Sequence, residues 1–152
     1  MQIWIDADSC PSLVRNHVIK IASKDKVKVF LAANKEIPCS KEFPYEMIIC
    51  STEKDAADNY IFEKVTQNDL VITRDIVFAD RLISKNIAAI NDRGTVFTKE
   101  NIKELLSTRD FDLQLADCGL VKHYNEGYDK KKFAAFANSF DKVYHQLLKN
   151  LK

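Results

Sequence analysis

Hydrophobic residues in the first two thirds of the chain occur in short continuous runs, separated by longer segments of mixed character. A short apolar run rich in β-branched and aromatic residues is typical of a strand that is covered on both faces of a sheet. The pattern predicts five strands, at residues 2–5, 27–33, 45–50, 69–73 and 87–90.

The segments between these runs carry apolar residues at intervals of three and four, which is the spacing of one helical face. A helix is predicted to begin near Pro11, with Asp8 or Ser9 as its cap. Thr52 and Asp55 fit a capping box that opens a second helix. A third helix is predicted over residues 77–85.

Strands that alternate with helices indicate an α/β fold whose sheet is largely parallel. The rest of the chain is predicted to be helical: one helix capped by Thr98, a second segment at residues 113–120, and a long amphipathic helix over residues 133–151. A length of 152 residues suits one domain. We therefore predict a single domain over residues 1–152, with a helical C-terminal extension from about residue 98.

Acidic and amide side chains stand next to the ends of most of the predicted strands. The carboxyl ends of parallel strands meet at one edge of a sheet, where open α/β folds bind their ligands. We therefore expect these side chains to converge there. They are Asp6 and Asp8 after the first strand, Asp55 and Asp58 after the third, Asp75 after the fourth, and Asn91 and Asp92 after the fifth.

Convergent carboxylates repel one another, and a bound divalent cation offsets that repulsion. Hard oxygen ligands select Mg²⁺ or Mn²⁺ over zinc, and such an ion suits phosphodiester hydrolysis. Each carboxylate also has a local alternative, because Asp8, Asp55 and Asp75 are all placed to cap helices.

Polar residues beside these carboxylates are candidates for binding the substrate. Asn34 ends the second strand and is suited either to a ligand or to a turn. Arg74 and Arg93 are suited to phosphate oxygens or to an ordinary exposed surface. Thr73 offers a hydroxyl or ends a strand, and Asn91 completes this set.

Overall charge adds little attraction for nucleic acid, since 23 basic residues stand against 22 acidic ones. Any polyanion site must therefore be a local patch. Lys130, Lys131 and Lys132 lie near Tyr124 and Tyr128, and they suit either single-stranded nucleic acid or a solvated helix start.

Location is constrained by what the sequence lacks. No apolar run approaches the ~20 residues that span a bilayer, and the N-terminus does not have the pattern of a signal peptide. The four cysteines include no C-x-x-C pair, so we expect reduced thiols in a cytoplasmic protein. Cys10, at a predicted helix start, is a candidate for a lowered pKa.

Four motifs in this order resemble the YaiI/YqxD family of bacterial proteins, whose fold is similar to that of the PIN-like nucleases. They are Asp6-Ala7-Asp8-Ser9-Cys10-Pro11, Asp55 to Asp58, Thr73-Arg74-Asp75, and Asn91-Asp92-Arg93-Gly94. The resemblance covers residues 2 to about 111 and implies a three-layer domain. By position it implies Asp6, Asp58 and Asp75 as the inner, catalytic ligands, with Asp8 and Asp55 as supporting metal ligands.

The carboxylates and the resemblance together predict a nuclease that depends on Mg²⁺ or Mn²⁺ and acts on RNA in preference to DNA. One alternative is a non-catalytic module that binds a nucleotide or nucleic acid on the same scaffold. Another is a phosphatase whose DADS turn supplies a nucleophile. A homodimer through the phenylalanine-rich last helix is a further expectation.

Overall fold

The computed structural model describes residues 1–39, 41–117 and 127–151. In these ranges the strands are β1 (Gln2–Asp6), β2 (Lys28–Ala33), β3 (Glu46–Ile49), β4 (Leu70–Ile72) and β5 (Ala88–Ile90). The helices are α1 (Ser12–Lys24), α2 (Ala56–Lys64), α3 (Ile76–Ser84), α4 (Ile102–Asp117) and α5 (Lys130–Asn150). All five predicted strands are confirmed.

The five strands form one parallel sheet in the order β3-β2-β1-β4-β5. From the central β1 the chain builds outward to β3, then crosses back to place β4 on the other side of β1. That reversal separates the loops that follow β1 and β4, and open α/β sheets bind ligands in the resulting crevice. Asp6 and Thr73 lie at this point.

Helices cover both faces of the sheet, which gives the three-layer α/β architecture predicted for a PIN-like domain. Side chains alternate between the faces: Ile3 and Ile5 of β1 pack with α1 and α5, whereas Trp4 packs with α2, α3 and α4. Both apolar layers contain fully buried residues, so the strands are hydrophobic on both sides.

Two predicted helix caps are wrong. Pro11 occupies the N-cap of α1 without a side-chain hydrogen bond, and Asp8 instead accepts the backbone N–H of Asn34. The capping box of Thr52 and Asp55 does not form, because Asp55 adopts a left-handed conformation with φ of 61° and makes no capping bond. At Asp8 a tertiary hydrogen bond to the end of β2 replaces the predicted cap.

The C-terminal helices pack against the sheet layers as predicted. Thr98 and Asn101 exchange side-chain to backbone hydrogen bonds of 3.1 and 2.8 Å just before α4. The two predicted segments that follow are one helix as far as Asp117, and the rest of residues 113–120 lies outside the described residues.

The last helix, α5, packs against the turn that follows β5. Gly94, with φ of +91°, lies so close to α5 that an added Cβ would stand 2.6 Å from the carbonyl oxygen of Ala135. Ser139 donates a hydrogen bond of 2.6 Å to the carbonyl of Gly94. Phe136, Phe140 and Tyr144 form a buried stack on the same helix. Among the described helices, none is both long and apolar enough to span a membrane.

Candidate metal centre and cleft

Asp6 enters the site because it is the last residue of β1 and shares the sheet face of Trp4, on the side covered by α2. Its Oδ2 accepts a hydrogen bond of 3.1 Å from the hydroxyl of Thr73, at the end of the neighbouring β4. The Thr73 hydroxyl in turn accepts the backbone N–H of Asp75 at 3.1 Å. Thr73 thus joins the ends of two adjacent strands and holds one oxygen of Asp6.

Asp75 serves as a helix cap and keeps one oxygen available. Its Oδ1 accepts the backbone N–H groups of Val77 and Phe78, at 2.9 and 3.1 Å, at the start of α3. The local alternative considered for this residue is therefore confirmed. A cap that uses only Oδ1 leaves Oδ2 free of these bonds, so capping and ligand binding are compatible at Asp75.

Three carboxylates meet at the carboxyl edge of the sheet, and we call Asp55, Asp58 and Asp75 the acidic cluster. One oxygen from each lies within 4.8 Å of the other two. Asp58 projects from the first turn of α2 and is only 6% exposed, whereas Asp55 is exposed just before that helix. Asp6 adjoins the cluster, since its carboxylate lies within hydrogen-bonding reach of Asp58.

Asp58 is the carboxyl group whose protonation is most perturbed. Burial, together with the charges of Asp6 and Asp75 and hydrogen bonds to both, raises the pKa of Asp58 to about 8. Burial also raises the pKa of Asp6, while hydrogen bonds from Asp58 and Thr73 oppose that rise. A protonated Asp58 that donates to its neighbours therefore relieves the repulsion among carboxylates when no cation is present.

A cleft of about 450 Å³ opens above Asp6, Asp58 and Asp75. Asp8 and Asn34 line its wall next to β2, where both oxygens of Asp8 lie 3.2 Å from the backbone nitrogen of Asn34. The sequence prediction therefore identified residues that share one cleft, although Asp8 lies outside the acidic cluster. The loop before α2 also lines the cleft, through Ser51, Thr52, Glu53, Lys54 and Asp55.

Arg74 lines the same cleft, and an ion pair with Asp92 fixes its guanidinium. Its Nε and Nη2 contact Oδ2 of Asp92 at 2.7 and 2.5 Å, and Asp92 is 2% exposed. The Arg74 side chain remains 41% exposed. Tyr128 donates a hydrogen bond of 2.7 Å to the carbonyl of Asp92, which connects this ion pair to the chain just before α5.

The remaining predicted substrate contacts lie outside the residues that line the cleft. Oδ1 of Asn91 accepts the backbone N–H groups of Arg93 and Thr95, at 2.9 and 2.8 Å, and thereby shapes the turn after β5. Arg93 itself is exposed. Substrate binding by Asn91 and Arg93 stays a prediction.

The possibility of a lowered pKa at Cys10 is wrong. Burial raises the pKa of this thiol to about 12, and the opposing charge of Arg15 is a smaller influence. Cys10 precedes the first helix by two positions and is 8% exposed, so its loss of water outweighs the helix dipole.

The sequence patterns did not identify several cationic neighbours of the acidic cluster as candidate site residues. Lys54 lines the cleft, while Arg81 and Arg109 border a smaller groove beside it. Arg109 comes from α4, far along the chain, and only tertiary packing brings it near Asp58. Lys54 was adjacent to Asp55 in sequence, and that adjacency was the one available hint.

Comparison with known proteins supports the resemblance inferred from the motifs. The sequence profile of the uncharacterised YaiI/YqxD family matches residues 4–146. A "UPF0178 protein" of Treponema denticola is 41% identical over 149 residues, which cover 98% of this chain and 95% of that protein. A second, from Pseudoalteromonas atlantica, is 39% identical over 146 residues and covers 96% and 99% of the two chains. No solved structure was found to match. The chain belongs to the YaiI/YqxD family.

Proposed function

We propose that this protein is a divalent-metal-dependent phosphodiesterase that acts on nucleic acid, with RNA favoured over DNA. The observation that carries the proposal is the acidic cluster itself: three carboxylates mutually within 4.8 Å, joined by Asp6, at the base of a cleft at the switch point of a parallel sheet. The three-layer architecture, which resembles that of PIN-like nucleases, supports the same reaction class.

The donor set fits Mg²⁺ or Mn²⁺. All the candidate ligands are carboxylate oxygens, which these ions prefer. In octahedral coordination of Mg²⁺, adjacent ligand oxygens lie roughly 3 Å apart and opposite ones roughly 4.2 Å. Oxygens within 4.8 Å of one another therefore have to approach by at most about 2 Å to hold the ion together. When bound, such an ion lowers the pKa of a coordinated water and offsets charge on a phosphate.

Protein groups around the cluster provide orientation. Thr73 fixes Oδ2 of Asp6, and the backbone N–H groups at the start of α3 fix Oδ1 of Asp75. Restraint of this kind limits the reorganisation needed when a substrate arrives. Asp58 gives up its proton on binding a cation, because a ligand oxygen must be ionised.

Two cations offer contacts to a phosphate. Arg74, held by Asp92, lines the cleft with a side chain that is 41% exposed, and Lys54 lines the same cleft. A guanidinium anchored on one edge can still donate from its other nitrogens to phosphate oxygens. Asn34 supplies a neutral polar group in the same cleft, whereas the Thr73 hydroxyl is buried and already bonded to Asp6 and Asp75.

Cleavage of labelled single-stranded RNA in the presence of Mn²⁺ tests the proposal. We expect the wild-type protein to cleave the RNA and EDTA to stop it. Asp58→Asn and Asp75→Asn should reduce cleavage to the uncatalysed background, since each removes a ligand of the acidic cluster. Asp112→Asn, an exposed carboxylate on α4, is the matched control and should keep full activity.

If the RNA decays equally slowly with the wild type and with Asp58→Asn, the proposal is refuted. If the wild type binds RNA without cutting it in either Mn²⁺ or Mg²⁺, the non-catalytic binding module becomes the better description. A duplicate assay with DNA of the same sequence decides between the two nucleic acids.

A further inference from the structure

We propose that a groove beside the acidic cluster binds the phosphate backbone of a nucleic acid strand without reading its bases. The flanking groove, as we call it, is lined by the three carboxylates of the acidic cluster, by Lys54, Arg81 and Arg109, and by Val77 and Phe78. The inference rests on the proposed function, because it extends the substrate path from the cleft.

The flanking groove and the cleft are continuous. Lys54, Asp55, Asp58 and Asp75 line both, so the acidic cluster lies where the two meet. The groove has a volume of about 130 Å³, against about 450 Å³ for the cleft. A strand whose scissile phosphate lies at the cluster would thus leave neighbouring phosphates in the cleft on one side and in the groove on the other.

Cationic side chains in the groove are held in place before any ligand arrives. Nη1 of Arg81 donates a hydrogen bond of 3.0 Å to Oδ1 of Asn59, and its guanidinium lies 4.2 Å from the ring centroid of Phe62. Lys85 lies at the same distance from that ring. Restrained cations lose less side-chain entropy on binding an anion than free ones do.

Arg109 completes the groove from α4. It pairs with Asp110 across 3.4 Å, but both side chains are well exposed, at 41% and 67%. An exposed ion pair of this length is weak and readily exchanged for a phosphate contact. Lys54, from the loop before α2, is exposed and lines the same groove, so three basic side chains border it.

Base-stacking surfaces are lacking among the described residues that line the groove. Phe78 is the aromatic residue there, and it is 1% exposed. The nearby ring of Phe62 already carries Arg81 and Lys85. Single strands are otherwise held by stacking on open aromatic rings, so contacts here are restricted to backbone charge. The groove should therefore bind sequences indiscriminately.

A competing location is the basic run at the start of α5. Lys130 and Lys131 are exposed, and Lys131 is adjacent in sequence to Lys132, which donates to the carbonyl of Gly127. This run lies outside the residues of both the cleft and the flanking groove. Substitution of Lys130 and Lys131 is therefore the matched control for substitution of Arg81 and Arg109, because each double variant loses two positive charges.

Fluorescence anisotropy in EDTA tests the inference by titrating labelled oligouridylate and oligoadenylate, each about ten nucleotides long, over a range of salt. For single strands the slope of log K against log salt changes by about 0.7 for each phosphate contact. Removal of Arg81 and Arg109 together (Arg81→Gln, Arg109→Gln) should lower that slope by about 1.4. Arg109→Gln alone, at an exposed position, should lower it by about half as much and leave the fold intact.

The two oligonucleotides should bind alike, and the control Lys130→Gln with Lys131→Gln should keep the wild-type slope. An unchanged slope in the Arg81 and Arg109 variants, or a loss confined to the lysine control, would overturn the inference. Because these titrations contain no metal, binding that depends on the groove with no cleavage in Mn²⁺ would refute only the proposed function. Cleavage with an unchanged slope would refute only the groove.

Discussion

Asp58 makes the stability of this protein depend on pH in a direction opposite to that of an ordinary surface aspartate. Its pKa is raised to about 8 in the folded state, by burial and by the neighbouring carboxylates. In the unfolded chain an aspartate titrates near 4. Between those values the folded protein holds a proton that the unfolded chain lacks, so the free energy of unfolding must fall as pH rises through this window.

The size of the effect follows from the same linkage. One proton contributes about 1.4 kcal/mol per pH unit, and a window of roughly four units sets a ceiling of about 5 to 6 kcal/mol. Water in the open cleft and local relaxation reduce that value. We expect a loss of about 2 to 3 kcal/mol between pH 5 and pH 8.5 for the metal-free protein.

Urea denaturation in EDTA at several pH values measures this loss. Asp58→Asn should be more stable than the wild type at pH 8.5, and its free energy of unfolding should depend much less on pH. Asp112→Asn, with its exposed carboxylate, should retain the wild-type slope. His17, whose pKa is lowered by burial, contributes with the opposite sign and is present in all three proteins.

Manganese provides the second arm of this experiment. A cation bound to the ionised cluster should restore stability at pH 8.5, by about 2.7 kcal/mol at one hundred times its Kd. The same addition should leave Asp58→Asn nearly unchanged. Parallel pH profiles for the wild type and Asp58→Asn would refute the reasoning, because Asp58 would then not carry the perturbed proton.

Three further predictions concern the surroundings of the cleft. Gly94→Ala should lower stability by about 2 to 4 kcal/mol in thermal unfolding, because the added Cβ would lie 2.6 Å from the backbone of Ala135 and residue 94 would keep a positive φ. A change below about 0.5 kcal/mol would contradict this close approach. Arg74→Gln should lower the free energy of unfolding in urea by about 3 kcal/mol, since it leaves the Asp92 carboxylate buried and unpaired. Asp92→Asn should lower it by less, because Arg74 is partly exposed. Equal losses in the two variants would contradict this asymmetry. Cys10 should resist alkylation by iodoacetamide at pH 8 in the native protein, because burial raises its pKa to about 12. Rapid alkylation of the Cys10 peptide, detected by mass spectrometry, would contradict this prediction.

The order of strands and helices could be predicted from the sequence because it depends on local periodicity. Buried strands and amphipathic helices leave different spacings of apolar residues, and each spacing is readable within a short window. The acidic residues at strand ends followed from the same logic, since parallel strands share one carboxyl edge. The selection of Asp6, Asp58 and Asp75 from that wider set came from the resemblance to the PIN-like nucleases.

Capping interactions could not be predicted with the same success. Asp75 caps α3 through bonds within three residues, and a local pattern suffices for that. Asp8 binds the backbone of Asn34 at the end of β2, and this contact replaces a cap at the start of α1. Asp55 adopts a left-handed conformation and makes no capping bond. Identical residue types therefore had different outcomes at different helix starts.

By itself, the sequence determined the fold class, the strand ends and the cleft carboxylates, since each depends on residue type and on spacing along the chain. Tertiary structure alone decided which oxygens lie within 4.8 Å, the raised pKa of Asp58, the pairing of Arg74 with Asp92, and the arrival of Arg109 from α4. Those properties depend on distance and on exclusion of water between segments far apart in sequence, and packing of the three layers sets both.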